Sequence, residues 1–312
     1  MTSPAPSRPG LRPTASAALA REITRRASRQ SYHIIRWLVD RGRTDNAFRA
    51  YAYFRWVDDI VDAASPDRPA RLQFLAHQRQ LIGKLLTGTA PEDLLPEEQM
   101  LADLIASRRD QHPGLGSYID NMMAVMEFDA DRRGRLITQA ELERYTCLLA
   151  TAVWDCIEYF IGHAHGYPDG AARTQAATGA HIVHLLRDTE ADLAAGYFSV
   201  PREVLEAHRL TPADTQHPAY RDWVRQRVEL ARQCFVEGKR YLRKAGCLRG
   251  ALTGWLYIAR FEPVLRQIEA DGYSLRATYP APFPLLAALT GALRAPQVTA
   301  GWAKQTHPGG AG

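Results

Sequence analysis

The sequence is poor in cysteine: its 312 residues contain four, and no two of them form a C-x-x-C pair. A chain of this length with so few cysteines is not a disulfide scaffold, and it lacks the usual spacing of a zinc ribbon or a dithiol redox site. The N-terminus has no apolar segment of the signal-peptide type, although this does not exclude an organelle transit peptide. We therefore expect reduced thiols and a cytoplasmic protein.

Long hydrophobic runs are also missing. The longest uncharged run, Ala277–Leu293, has 17 residues and contains three prolines. A membrane-spanning helix needs about 20 apolar residues, and proline interrupts helices. We expect no transmembrane helix, while the apolar character of this run leaves peripheral contact with a membrane open.

Charge of one sign is not concentrated anywhere in the chain. Lys and Arg outnumber Asp and Glu by 39 to 34, and the two signs are interspersed. Without a basic tract or an RNA-binding motif we expect no nucleic-acid partner, and the net charge of +5 suits a small anionic substrate. No P-loop, dinucleotide-binding glycine motif or Ser-His-Asp pattern is present, so nothing supports a nucleotide kinase, a redox enzyme or a hydrolase.

The sequence does have a helical pattern almost throughout. Apolar residues recur at steps of three and four, and no β-branched run alternates with polar residues. This predicts an all-α protein with one domain at 21–295 between flexible tails at 1–20 and 296–312. Thr138 and Glu141 form a capping-box pattern at the start of a central helix, and Gly162 is placed to end it. The predicted helices cover about 15–41, 44–63, 68–87, 96–109, 115–127, 138–162, 168–195, 218–245 and 247–270.

A first acidic motif occurs in the second of these helices. Tyr51, Arg55, Asp58 and Asp62 follow one another at steps of four, three and four, which places them on one helical face. Two carboxylates and a guanidinium therefore share a stripe in an otherwise apolar helix, with Asp59 beside them.

A second acidic motif follows about 130 residues later. His181, His184, Asp188 and Asp192 share a helical face, and Arg187 adjoins Asp188. The intervening residues are largely apolar, as they are around the first motif.

Carboxylates four residues apart on an apolar helix are costly to bury unless a positive charge meets them. Facing each other across a helical bundle, two such helices would form a cage for divalent cations, and Mg²⁺ fits because it combines carboxylates with water and phosphate oxygens. The cations would hold a diphosphate and promote its departure, with Arg55 and Arg187 contacting phosphate oxygens. The alternative is that each stripe is a solvated face with internal ion pairs.

These residues resemble the squalene/phytoene synthase family over most of the chain. The first acidic motif looks like the family pattern without a break, and Leu186-Arg187-Asp188-x-x-x-Asp192 resembles its second one. Weaker similarities occur at Ser31-Tyr32, at the segment opened by Tyr145, and at Ile268-Glu269-x-x-Gly272-Tyr273. The resemblance implies an isoprenoid-synthase helical bundle with a central active-site cavity, dependence on two or three Mg²⁺ ions, and ionisation of an allylic isoprenyl diphosphate.

The sequence departs from the family pattern at three places. His181 and His184 replace the usual Gln and Asn, of which the Asn is normally a magnesium ligand, and imidazole is a poor ligand for Mg²⁺. Thr151 and Trp154 replace two glycines after Tyr145, so a pocket for a second polyprenyl chain is expected to be blocked or shortened. Finally, 196–201 lacks the usual Arg and Tyr.

We therefore expect a transferase that moves the prenyl group to a small non-prenyl acceptor, with an aromatic acceptor favoured, and releases diphosphate. The metal ligands are predicted to be Asp58, Asp59, Asp62, Asp188 and Asp192; the substrate-binding residues Ser31, Tyr32, Arg55, Trp154 and Arg187; and the catalytic residues Tyr51, Tyr145, His181 and His184. Aromatic faces would stabilise the cation, and His181 or His184 would remove the ring proton.

Other interpretations stay open at this point. Two prenyl diphosphates could be condensed head to head, as in ordinary family members, although nothing supports an NADPH-dependent reduction step. The chain could also be a terpene cyclase or a non-catalytic relative. His181 and His184 could be structural or half of a zinc site, and Trp154 could be a core residue.

Overall fold

The computed structural model describes residues 13–63, 67–107, 114–162 and 167–279. This part of the chain contains eleven α-helices and no β-strand, which confirms the all-α prediction. The helices are α1 (Pro13–Ala27), α2 (Arg29–Leu38), α3 (Thr44–Asp62), α4 (Arg68–Leu86), α5 (Pro96–Ala106), α6 (Gly114–Arg132), α7 (Gln139–Phe160), α8 (Gln175–Ala195), α9 (Arg202–His208), α10 (Pro218–Lys244) and α11 (Leu248–Ala270).

The predicted helix boundaries need correction at the first helix. The segment predicted at 15–41 is two helices, because Ser28 interrupts it with extended backbone angles and caps α2 by accepting a hydrogen bond from the Ser31 amide. The prediction of a flexible tail at 1–20 is wrong for 13–20, where α1 buries Ser16, Ala17 and Ala20. Residues 1–12 and the tail predicted at 296–312 lie outside the described residues.

Three further differences from the sequence prediction concern α6, α9 and α8. The helix predicted at 115–127 continues to Arg132. The short α9 has only seven residues, too few for a periodic pattern to stand out. The helix predicted from 168 begins at Gln175, after a 3₁₀ turn at Ala171–Thr174.

The capping box at the start of α7 is confirmed. The Thr138 hydroxyl accepts a hydrogen bond from the Glu141 amide (3.1 Å), and the Glu141 carboxylate accepts one from the Thr138 amide (2.8 Å). Glu141 also pairs with Arg135 at 2.9 Å. At the other end, α7 stops at Phe160, and Gly162 follows with the left-handed φ of +71° that glycine accommodates.

The chain divides into two compact units. The first comprises 1–131 and 159–161, and the second comprises 132–158 and 162–312. The single domain expected at 21–295 stays a prediction.

In the first unit, buried polar contacts hold α3 against its neighbours. Arg49 donates to the hydroxyl of Ser16 on α1 (3.0 Å), and Tyr53 donates to Gln78 on α4 (3.0 Å), which in turn donates to Glu98 on α5 (2.8 Å). Buried polar groups that satisfy one another in this way fix a helix's rotation as well as its position. The side of α3 that carries Tyr51, Arg55 and Asp58 is therefore turned away from this network.

In the second unit, α8 packs closely against α10. At Gly179 a Cβ atom would lie 2.8 Å from the Phe235 ring, and at Gly238 it would lie 2.8 Å from the backbone of Ala176. Both distances are below van der Waals contact, so the absence of a side chain at these glycines permits the close approach of the helices. This approach fixes α8, which carries the second acidic motif. Among the described helices, none has the length and apolarity to cross a membrane.

Candidate active site

The first acidic motif forms one surface on α3, called here the α3 acidic face: Tyr51, Arg55, Asp58, Asp59 and Asp62. Arg55 lies 3.1 Å from the Asp58 carboxylate and also contacts Asp59, so its guanidinium is held within the motif. This is the internal pairing that the alternative interpretation predicted for a solvated face. Asp59 thus pairs with Arg55, which precedes it by four residues.

The ion pairs do not neutralise the α3 acidic face. Burial and repulsion from Asp62 raise the pKa of Asp58, the attraction of Arg55 offsets only part of both effects, and the net pKa is about 7. A raised carboxylate pKa shows that too little positive charge lies nearby to stabilise the ionised form. The α3 acidic face therefore has the electrostatics of a cation-binding surface, and its charge pairs alone do not account for them.

A further carboxylate in this region was missed by the sequence reasoning. Asp129 on α6 is close enough to Asp58 to raise its pKa by charge repulsion. It belongs to the same compact unit as α3. Asp129 is followed by Asp131 and two arginines, so no i,i+4 pair of acids marked this position.

Ser31 and Tyr32 lie on α2, which packs against the first half of α3. The Tyr32 ring is 5.4 Å from the ring of Phe48, one turn before Tyr51. Ser31 contributes its amide to the cap of α2. Both side chains are half-buried. Their predicted role in substrate binding stays a prediction.

The second acidic motif forms the α8 acidic face: His184, Arg187, Asp188 and Asp192. Asp188 is held between Arg187, which makes two hydrogen bonds of 2.6 Å to its oxygens, and His184, which lies at 2.9 Å. Partial burial would raise the pKa of Asp188, but the hydrogen bonds from Arg187 and His184 outweigh it and bring the pKa well below its usual range. Asp188 therefore stays ionised.

The two acidic faces thus differ in how their charge is balanced. On α3 the carboxylates repel each other, whereas on α8 the central carboxylate already accepts hydrogen bonds from Arg187 and His184. The donor set on both faces is carboxylate oxygen, which suits Mg²⁺. No group of three or more His, Cys, Asp or Glu side chains with metal-site geometry occurs in the described parts of the chain.

His181 does not share the environment of His184. Its side chain is 3% exposed, and neither ring nitrogen has a hydrogen-bond partner. The ring packs edge-on against Tyr145 at 4.8 Å. Burial lowers the pKa of His181 to about 3, and the nearby charges of His184, Arg132 and Arg227 act in the same direction. His181 is therefore a neutral imidazole in a buried, positively charged setting, whereas His184 is half exposed and bound to Asp188.

The loop after α8 packs against an arginine from another helix. Arg132, at the end of α6, is buried and lies over the rings of both Tyr145 (5.1 Å) and Tyr197 (4.7 Å). Gly196 has a φ of +85° and caps α8, which directs Tyr197 into this cluster. The sequence did not predict this contact, because Arg132 and Tyr197 are about 65 residues apart in the chain.

Trp154 is packed inside the second unit. It is 4% exposed and meets the rings of Tyr167 and Tyr241 edge-on, at 5.1 and 5.2 Å. The cavity that remains beside it has about 20 Å³, room for about one water molecule. Its lining includes Ile157, Ala177, Tyr241, Gly254 and Tyr257. The sequence prediction that this side chain fills space agrees with its packing.

The comparison with known proteins decides the family. The model of the squalene/phytoene synthase family matches residues 24–287. The chain belongs to the squalene/phytoene synthase family. The family consists of prenyltransferases, and the resemblance inferred from the two acidic motifs is confirmed.

Individual relatives are more distant. A presqualene diphosphate synthase from Rhodopseudomonas palustris is 27% identical over 185 residues, which are 59% of this chain and 62% of that protein. The squalene synthase HpnC from Alicyclobacillus acidocaldarius has a TM-score of 0.66 at 20% identity, covering 85% of this chain and 97% of that one. A dehydrosqualene synthase solved with a ligand also has a TM-score of 0.66, at 13% identity, covering 94% and 98%. The two structures show that the fold is shared.

The structure brings together the residues predicted within each motif. In the first unit these are the members of the α3 acidic face, with Ser31 and Tyr32 on the adjoining α2; in the second unit they are His184, Arg187 and Asp188 on α8, and Tyr145 with His181. The catalytic, binding and metal-ligating roles of these residues stay predictions.

Proposed function

We propose that this squalene/phytoene synthase family member ionises an allylic isoprenyl diphosphate and transfers the prenyl group to a small aromatic acceptor. Family membership supports the first half of this proposal, because the family consists of prenyltransferases. The second half, the identity of the acceptor, depends on Trp154 and its surroundings.

Both acidic faces contribute to ionisation in this proposal. Asp58 and Asp62 would hold Mg²⁺ on α3 through carboxylate oxygens, with help from Asp59, and Asp188 and Asp192 would hold Mg²⁺ on α8. Bound Mg²⁺ would neutralise the charge that develops on the departing diphosphate. The raised pKa of Asp58 supports this assignment, because a nearby cation would return that carboxylate to its ionised form.

The arginines of both faces keep donors for a phosphate. Arg187 uses two of its five N–H donors for Asp188, so its predicted contact with phosphate does not require this pair to open. Arg55 is half exposed, and part of its fork is used by Asp58 and Asp59. Guanidinium groups have five N–H donors, so Arg55 retains donors for a phosphate oxygen.

The packing of Trp154 is the observation that carries the choice of acceptor. A site for a drug-sized or longer apolar molecule generally needs about 300–1,000 Å³, whereas the cavity beside Trp154 has about 20 Å³. A second polyprenyl chain cannot enter there without displacing the indole or its partners Tyr167 and Tyr241. The departure from glycine at this position therefore closes a space that a prenyl chain would otherwise use, which favours an acceptor other than a second prenyl diphosphate. The aromatic acceptor would bind elsewhere, because about 20 Å³ holds no aromatic ring either.

Transfer to an aromatic ring requires a proton acceptor, and His181 is our candidate. The C–O bond of the allylic diphosphate breaks and its electron pair leaves with diphosphate. A π-electron pair of the acceptor ring then forms the new C–C bond. The proton on the attacked ring carbon passes to a ring nitrogen of His181, and the C–H electron pair restores aromaticity.

The buried setting of His181 suits this role. A pKa near 3 keeps the imidazole unprotonated before the reaction, and the ring cation formed on attack is a much stronger acid than even this imidazolium. Both ring nitrogens lack partners, so one is available as an acceptor. His184 is a weaker candidate, because Asp188 already engages its ring.

Head-to-head condensation of two prenyl diphosphates is the second candidate function. Its support is the 27% identity with a protein named presqualene diphosphate synthase, together with the typical activity of the family. It requires a second chain-length pocket at a place other than the one that Trp154 fills.

The test is product analysis over a panel of donors and acceptors. The purified protein with Mg²⁺ would be incubated with one allylic diphosphate at a time, from C5 to C20, first alone and then with phenols, naphthols and indoles. We expect a prenylated arene in one combination and no coupled product without acceptor. A dimeric hydrocarbon or a cyclopropyl diphosphate from donor alone would establish head-to-head synthesis, and a cyclic monomeric terpene would establish a cyclase.

A further inference from the structure

The outer face of α2 combines an exposed tryptophan with basic side chains. Trp37 is 64% exposed, the largest exposed fraction among the described large hydrophobic side chains. Arg29, His33 and Arg36 share its side of the helix, and Arg41 follows in the next turn. All four are exposed. We call this set, Arg29, His33, Arg36, Trp37 and Arg41, the α2 basic-aromatic face.

The exposure of Trp37 does not come from a frayed helix. Ser28 caps the start of α2, and the opposite side of the helix buries Ile35, with Val39 buried directly after it. The Trp37 ring stacks on His33 with 4.6 Å between centroids and 22° between planes. Because this contact already orders the ring, little side-chain entropy would be lost when the ring enters another medium.

The positive charge of this face has no internal compensation. Within the described residues, no carboxylate pairs with Arg29, Arg36 or Arg41, in contrast to Arg25 and Arg26 just before them, which both pair with Glu22. Three arginines around an exposed indole thus present uncompensated charge and apolar surface together.

We infer that the α2 basic-aromatic face is a docking surface for an anionic lipid bilayer. Tryptophan favours the boundary between headgroups and acyl chains, where its ring is in an apolar layer and its N–H stays among polar groups. Arginines around it would bind lipid phosphates through paired hydrogen bonds. Nucleic acid also attracts arginine, but the apolar indole and the absence of a longer basic tract favour a membrane. This inference stands on the geometry of α2 and does not depend on the proposed activity.

The experiment measures binding of the full-length protein to vesicles by co-sedimentation, without substrate. Vesicles of phosphatidylcholine alone would be compared with vesicles that contain about one third phosphatidylglycerol, an anionic fraction that attracts basic residues. We expect binding to the anionic vesicles only, and weaker binding as salt rises. No binding to anionic vesicles at low salt would overturn the inference, as would equal binding to both kinds of vesicle.

Substitutions on α2 test whether the α2 basic-aromatic face is the membrane-binding surface. Replacing Arg29, Arg36 and Arg41 together by Gln should lower the partition coefficient by about a hundredfold, since each basic residue near an anionic leaflet contributes about fivefold. Trp37→Ala should lower it by about tenfold. Leu95→Ala, which alters another exposed apolar side chain, and Arg225→Gln, which alters an exposed arginine on α10, are the matched controls and should bind as the wild type does.

Two outcomes would contradict the assignment to α2. If the control variants lose as much binding as the α2 variants, general charge and not this face is responsible. If the protein binds a single-stranded RNA but no vesicle, and Trp37→Ala weakens that binding, the partner is a nucleic acid. Circular dichroism of every variant shows whether a loss of binding comes from a loss of helix.

Discussion

Shortening Trp154 should change the size of prenyl donor that the protein accepts. The side chain is 4% exposed and is held by two edge-on ring contacts. Trp→Ala changes in protein cores cost about 3–5 kcal/mol of unfolding free energy, and at about 24 cal/mol per Å³ a residual cavity of order 100 Å³ accounts for roughly 2.4 kcal/mol of that loss. Trp154→Phe should be intermediate in both cavity and cost.

The volume of the same cavity sets the expected change in donor length. Added to the existing space of about 20 Å³, a cavity of order 100 Å³ accommodates about five carbon atoms at roughly 25 Å³ per methylene in a close-packed interior. We therefore expect the preferred donor to lengthen by one isoprene unit in Trp154→Ala. The ratio of kcat/KM for the longer donor to that for the original one should rise at least about tenfold, since burying one additional isoprene unit contributes more than 1.4 kcal/mol.

The assay is kcat/KM over a C5 to C20 donor series, with urea unfolding of each variant. Trp223→Ala is the matched control: Trp223 is buried on α10, meets Tyr220 edge-on, and does not line the cavity beside Trp154. The control should lose similar stability and keep the wild-type donor preference. An unchanged preference in a folded Trp154→Ala protein would refute the reasoning and place Trp154 in the core without a role in specificity.

Three further predictions follow from the structure. Asp58→Asn and Asp188→Asn should each abolish Mg²⁺-dependent release of diphosphate while circular dichroism stays at the wild-type level, and full turnover in both variants would refute the metal assignment. His181→Gln should lower kcat by about a hundredfold or more, as expected for loss of a general base, with KM for the acceptor little changed; a shift confined to KM or to the melting temperature would show a structural role. Thr138→Ala should remove one half of the α7 capping box and cost about 1 kcal/mol in urea unfolding, and no loss of stability would show that the pairing of Glu141 with Arg135 suffices.

Most of the helices could be predicted from the sequence, because a 3.6-residue repeat of apolar side chains is a local signal. The acidic faces were found in the same way, since i,i+4 spacing alone puts Asp58 with Asp62 and Asp188 with Asp192 on common faces. The break at Ser28 was missed because apolar residues continue on both sides of it. The cap appears only through the hydrogen bond from the Ser31 amide.

The electrostatic differences within the site could not be predicted from spacing. His181 and His184 are three residues apart, yet one is buried without a hydrogen-bond partner and the other is half exposed beside Asp188. Their difference arises from Tyr145 and Arg132, which come from α7 and α6. The repulsion between Asp129 and Asp58 also arises between two helices, α6 and α3. Such contacts depend on tertiary packing, about which a single sequence carries no direct signal.

The most direct test of the account is a double-label experiment. The protein would be incubated with Mg²⁺, an allylic diphosphate labelled with ¹³C in the prenyl chain, and an aromatic acceptor fully deuterated on its ring. The masses of the products would be determined by mass spectrometry, and the released diphosphate would be measured in parallel. The account predicts a product that contains one labelled prenyl group and one acceptor that has lost a single deuterium, with one diphosphate released per product. A product with two labelled prenyl groups and no acceptor would contradict it.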